Sequence, residues 1–139
     1  MKTLVIYYSY SGRTRTLAER LAAEQGVALA ELCDKSRPGM VRVLIAGCVA
    51  AMRGRSWPIL PLDVDLTECD RLMLLSPIWA GNTPPAVNEF LKLLPRGKEI
   101  AVKLVSDSGK SHCRSRLDAE IKARGCKLTG FTNIRTQDI

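Results

Sequence analysis

Three hydroxyls, a glycine and an arginine follow the first apolar run of this chain: Ser9, Ser11, Gly12, Arg13 and Thr14, in "VIYYSYSGRT". The hydroxyls can donate hydrogen bonds, Gly12 lets the backbone come close to a ligand, and Arg13 either adds charge or lies in solvent. The apolar run before them, 2–8, predicts a buried strand. The pattern after them, 14–25, predicts a helix with Leu17, Ala18, Leu21 and Ala22 on one face and Gly26 as its stop. A loop that enters a helix offers unpaired N–H groups and the positive end of the helix dipole. Hydroxyls and N–H groups at that place fit a phosphate.

Several phosphate chemistries fail on the residues. A dinucleotide fold needs G-x-G-x-x-G here, and only Gly12 is present. "SGKS" at 108–111 resembles the end of a nucleotide P-loop, but the earlier glycine falls at Leu104. A phosphatase loop needs a cysteine nucleophile, and 9–14 has none. A response regulator needs acidic residues after the first strand, and none follow it.

The elements that must position the loop alternate along the chain. Strands are predicted at 27–32, 71–76, 99–105 and 127–132. Helices are predicted at 40–53, from the spacing of Val41, Leu44, Ile45, Cys48, Val49 and Met52, at 84–94 with Pro84 and Pro85 in its first turn, and at 110–124 ahead of Gly125. "GRSWPILPLD" reads as a loop. Alternation of this kind implies a parallel sheet with helices on both faces. Ligands then bind beyond the carboxyl ends of the strands, where the loops 9–14, 77–83 and 106–111 lie.

Composition narrows the rest. A length of 139 residues suggests one domain. No apolar run approaches a membrane span, and "MKTLVIYYSYSG" lacks the cleavage site of a signal peptide, so the expected compartment is the cytoplasm and no membrane partner is expected. Cys33, Cys48, Cys69, Cys113 and Cys126 are odd in number with no C-x-x-C pair, which argues against a disulfide framework and a zinc site. The net charge is +7, and the excess lies after residue 70, notably at Lys110, Arg114, Arg116, Lys122, Arg124 and Lys127. The plain reading is a solvated helix face; an acidic partner is the functional one. Nucleic acid is not expected, because interleaved aromatic residues are missing. His112 and Cys113 are adjacent, but helix neighbours point apart, so no catalytic side chain and no metal ligand is assigned.

"VIYYSYSGRTRTLAERL" resembles the phosphate-binding signature of flavodoxins, with Ser9, Gly12, Thr14, Ala18 and Leu21 at the family's spacings. "CDRLMLLSPIWAGNTPPAVNEFL" is similar to a second stretch of bacterial flavodoxin-like proteins, with Cys69 in place of the usual tyrosine. "SDSGKS" sits where the family has a third, serine- and glycine-rich loop. The resemblance covers roughly 1–125 and implies a doubly wound five-stranded parallel sheet of order 2-1-3-4-5, here without the family's last helix. It implies FMN as cofactor, held by one FMN-binding domain over 1–139. The implied contacts are Ser9, Ser11, Gly12, Arg13 and Thr14 with the phosphate, Pro77, Ile78, Trp79, Ala80 and Gly81 in the second loop, and Ser106, Ser108 and Gly109 in the third. Trp79 is expected to cover one flavin face, with Trp57 either nearby or simply packed.

Two functions follow from that resemblance. One is a one-electron carrier between partner redox proteins. The other is an NAD(P)H-dependent quinone or flavin reductase. A flavin-binding scaffold or sensor is a third. The short chain favours the carrier, and its basic surface implies a partner with an acidic docking surface. Asp107 and Lys110 leave the local sign of charge open. A sheet face without the last helix is expected to expose apolar surface and to favour a homodimer.

Overall fold

The structure, a computed structural model, describes residues 2–36 and 39–139, with the side chain of Leu44 outside the description. Five strands form one parallel sheet: β1 (Thr3–Tyr7), β2 (Ala28–Glu31), β3 (Arg71–Pro77), β4 (Glu99–Ser106) and β5 (Lys127–Arg135). Their order is β2-β1-β3-β4-β5, and every neighbouring pair runs parallel. The order expected from the sequence holds. The apolar runs of β1 and β3 are buried on both faces, as central parallel strands must be.

Helix α1 (Arg13–Gln25) packs Leu17, Ala18 and Ala22 over Val5, Tyr7, Met73 and Leu75 on one face. Gly26 closes it in the left-handed conformation, φ 64°, as a C-terminal glycine does. The opposite face is larger. It holds Leu4, Ile6, Leu72, Leu74, Ile100, Val102 and Leu104 under α4 (Pro85–Leu91) and α5 (Arg114–Ala123). Phe90 and Leu91 of α4 and Leu117 and Ile121 of α5 are fully buried. Full burial of such a side chain contributes about 1.5–3 kcal/mol.

Three expectations need correction. First, the 40–53 helix is broken into α2 (Met40–Arg42), a π-helical turn (Val43–Gly47) and α3 (Cys48–Met52). Its apolar stripe does not face the core: Val41, Ile45, Val49 and Met52 are exposed, while Val43, Gly47, Ala50 and Ala51 are buried. The expected place of Leu44 lies outside the described side chains. Second, α5 starts at Arg114 and not at 110, because the chain at 107–113 is spent on the loop after β4. Third, the sheet surface beside α1 is not an apolar patch. Alternation with the buried Val102 and Leu104 turns Ala101 and Lys103 to that side, and Gly130 and Thr132 lie opposite them on β5. Next along the same face Val105 is buried and Ile134 half-buried against the α1 core, so what this surface exposes is small and polar.

Candidate functional site

The sharp end of β1 is shaped by one short hydrogen bond: the Ser9 hydroxyl oxygen accepts from the Gly12 N–H at 3.0 Å. The bond curls the loop, and Gly12 takes φ 99°, which an L side chain rarely adopts. Gly12 is also the N-cap of α1, so no side chain caps the helix, and no acid lies in its first turn. The helical ladder starts with the Thr16 N–H on the Gly12 carbonyl. The N–H groups ahead of it have no ladder acceptor, which is the condition for anion binding.

The third loop repeats the device. The Ser106 hydroxyl oxygen accepts from the Gly109 N–H at 2.9 Å, and Gly109 has φ 69°. Arg13 of the first loop reaches Asp107 of the third at 2.9 Å. Both side chains are well exposed, so the pair contributes little to stability, but it spans the mouth between the loops.

The second loop is a reverse turn. Trp79 and Asn82 exchange backbone hydrogen bonds at 2.8 and 3.0 Å, and Ala80 and Gly81 between them both have positive φ, 51° and 80°. That pairing is a primed turn. Ala80 is the sole non-glycine residue with positive φ among the described residues, a strain of the kind found at ligand sites. The turn is fixed from two sides. The His112 N–H donates to the Gly81 carbonyl at 2.7 Å, and Arg116 donates to Asn82 Oδ1 at 3.1 and 3.2 Å and to Thr83 Oγ1. Arg116, read from sequence as part of a solvated basic face, is therefore a strut of the second loop. His112 enters through its position as well: its ring lies where a Cβ on Gly81 would stand, 2.6 Å away.

Trp79 is buried, at 7% exposure. Its ring meets Tyr8, Tyr10 and Trp57 edge-on, with centroids 5.9, 6.2 and 6.2 Å away. A Cβ on Gly47 would stand 2.9 Å from Trp79 Cζ3, so the glycine leaves room for the indole. The expected free plate is thus a packed ring that presents only part of itself to the ligand side. Trp57 joins the same aromatic cluster.

These loops enclose a cleft of about 210 Å³ at the carboxyl ends of β1, β3 and β4. Of the residues singled out in the sequence, Ser11, Arg13, Thr14, Pro77, Ile78, Trp79 and Ser106 line it. Ser9, Gly12, Ala80, Gly81, Ser108 and Gly109 do not line it; Ser9, Gly12, Ala80, Gly81 and Gly109 shape the loops behind it. The Ser108 hydroxyl accepts from the Lys110 N–H at 3.2 Å. Sequence reasoning missed Tyr10, Val105, Asp107 and Thr136. Tyr10 and Asp107 lay inside loops already marked and carried the signal; Thr136 follows β5, which runs three residues beyond its expected end.

All five cysteines are free thiols, and Cys33 is exposed. Burial raises the Cys113 thiol above its ordinary 9.0, so it is a neutral packing group at neutral pH. Among the described residues no helix is long and apolar enough to cross a membrane.

No family model matches the chain. An uncharacterized protein of Archaeoglobus fulgidus is 29% identical over 96 residues, which is 68% of this chain and 58% of the relative. The chain thus spans less than two thirds of the length of that curated relative. Among solved structures, a flavoprotein in complex with FMN from Lactobacillus acidophilus has a TM-score of 0.76 at 24% identity, covering 94% of this chain and 91% of its own. Oxidised flavodoxin 2 from Bacillus cereus has a TM-score of 0.59 at 21% identity, covering 100% of this chain and 88% of its own. Sheet order, loop placement and these likenesses together show that the chain has the flavodoxin-like fold.

Proposed function

We propose that residues 1–139 form one FMN-binding domain that carries electrons between partner redox proteins. The observation that carries the reading is the two-ended cleft. One end offers the uncapped N-terminus of α1 with Ser11, Thr14 and Arg13; the other offers Ile78, Trp79 and Val105. A phosphorylated group with a flat apolar ring system matches both ends, and a bare anion matches only the first. The donor set therefore fits FMN. The structural neighbour that binds FMN supports the assignment.

Ser11, Thr14 and the first-turn N–H groups of α1 would hold the phosphate. Arg13 would share its charge between the phosphate and Asp107. Trp79, locked by Gly47 and the surrounding rings, would set the wall against which the ring system lies, and Tyr10 would border it. FMN supplies the redox chemistry when bound, and the protein supplies orientation and electrostatics. No side chain is assigned a proton transfer. The lack of larger loops around the cleft supports a carrier over a reductase, since a reductase needs a second binding place for a nicotinamide. Free thiols support a reducing compartment, the cytoplasm.

The test is reconstitution with FMN followed by stepwise anaerobic reduction under visible absorbance. Two resolved one-electron steps are expected. A single two-electron step, with rapid oxidation of NAD(P)H by the holoprotein, would replace the carrier by the reductase. Retention of FMN by Thr14→Val as strongly as by the native chain would remove the phosphate assignment.

A further inference from the structure

The segment 39–62 carries the most apolar surface that the fold leaves outside. Met40, Val41, Ile45, Val49 and Met52 are 44–69% exposed. Val41, Ile45, Val49 and Met52 fall on one side of the helical segment, opposite the buried Val43, Gly47, Ala50 and Ala51, and Met40 begins it. Beside them runs a groove of about 410 Å³ between Ile45, Val49, Arg55 and Trp57. Arg55 lines it, Lys35 and Arg42 line a second hollow that shares Trp57, Arg53 is exposed two residues before Arg55, and residues 39–62 contain no Asp or Glu. Among the described residues none of these four cations has a carboxylate within ion-pair distance. The Arg42 guanidinium instead lies over the Trp57 ring, 5.0 Å from its centroid.

We propose that this face docks an acidic partner protein, which inserts an apolar side chain into the groove and sets carboxylates on the surrounding arginines. Charge selects the occupant. A second copy of this chain would place the same unpaired cations against themselves, and like charges across an interface are costly. A lipid surface takes up apolar side chains that protrude from a helix face, whereas here Ile45 and Val49 flank a groove bordered by Trp57, which is half-buried and held against Trp79. A concave groove suits a protruding side chain. The location also suits electron transfer: Trp57 borders the groove, Trp79 lines the cleft, and their rings are 6.2 Å apart. The proposal rests on the carrier reading for its purpose, though not for its geometry.

The probe is ferric cytochrome b5, a small acidic one-electron protein, with basic cytochrome c as the counter-probe. Binding to the flavin-free protein is followed by amide chemical shifts, and reduction by the FMN-loaded, reduced protein is followed by stopped flow. Shifts are expected to cluster on 40–57, with binding that weakens as salt rises. Ile45→Ser/Val49→Ser should weaken binding and slow reduction about tenfold at unchanged salt dependence. Arg53→Glu/Arg55→Glu should do the same and flatten the salt dependence. Far-UV circular dichroism and FMN affinity should match the native protein in both variants, because none of these side chains supports the core or the cleft.

The proposal is overturned if the shifts fall elsewhere, if both variants stay within about twofold of native, or if cytochrome c binds as well as cytochrome b5. It is overturned too if Ile45→Ser/Val49→Ser abolishes a solution dimer. Sedimentation with vesicles of equimolar phosphatidylglycerol and phosphatidylcholine that the same variant abolishes would make lipid the occupant instead. Failure to hold FMN would sink the carrier reading alone, since the binding experiment needs no flavin.

Discussion

Helix α1 and the helical segment 40–52 carry the same signal, apolar residues at helical spacing after a short strand, yet they sit oppositely. In α1 the stripe of Leu17, Ala18 and Ala22 is buried on the sheet. In the second segment Val41, Ile45, Val49 and Met52 point out, and the buried side is made of Val43 and the small Gly47, Ala50 and Ala51. The reason is Trp79. The indole packs against the segment, and a Cβ at 47 would stand 2.9 Å from it, so a glycine there lets the backbone approach. Periodicity says that a helix has an apolar side. It does not say which side the core has room for.

The largest effect that tests this contrast is a matched pair of truncations. Leu17→Ala should cost about 2–4 kcal/mol in urea unfolding, as a buried leucine does. Ile45→Ala should change stability by less than about 0.5 kcal/mol. Equal costs would mean that the second stripe is buried after all.

A smaller loss is expected from adding volume where the small side matters. Gly47→Val should destabilise by about 1–3 kcal/mol through overpacking against Trp79. It should also weaken FMN, because Trp79 moves with it. A variant that keeps native stability and FMN affinity would show that the contact yields freely.

The smallest effect is alkaline and belongs to the α5 side of the core. Burial raises the Cys113 thiol, so the folded chain holds its proton more tightly than the unfolded chain. Its contribution is complete below the ordinary value of 9.0 and is lost as pH rises through the folded value. Tyr7, raised by burial and by its hydrogen bond to Glu31, acts in the same direction. The urea midpoint should therefore fall between about pH 8 and about pH 10, and less steeply in Cys113→Ala. A midpoint that rises with pH would reverse the sign and the assignment.

Much of the fold was legible because it depends on local chemistry. The strands of a parallel sheet are short apolar runs, Gly26 marks the end of α1, and Pro85 opens α4. The first loop was legible for the same reason, since Ser9 and Gly12 are three residues apart and bond to each other. What stayed hidden depends on distant partners. Arg116 looks like any surface arginine until Asn82 and Thr83, more than thirty residues earlier, are brought beneath it. Gly47 gave no sign of its role, because its neighbour Trp79 comes from another strand's loop. Thr136 joins the cleft only because β5 continues past its expected end.

The aromatic cluster has an optical consequence. The chain contains two tryptophans, and both belong to the pair that separates the cleft from the groove. Intrinsic fluorescence and near-ultraviolet dichroism are therefore not averages over the molecule. They report on a single spot, one ring turned toward each site. A ligand on either side must disturb the same emission, so one cuvette can ask whether filling the first site is felt at the second.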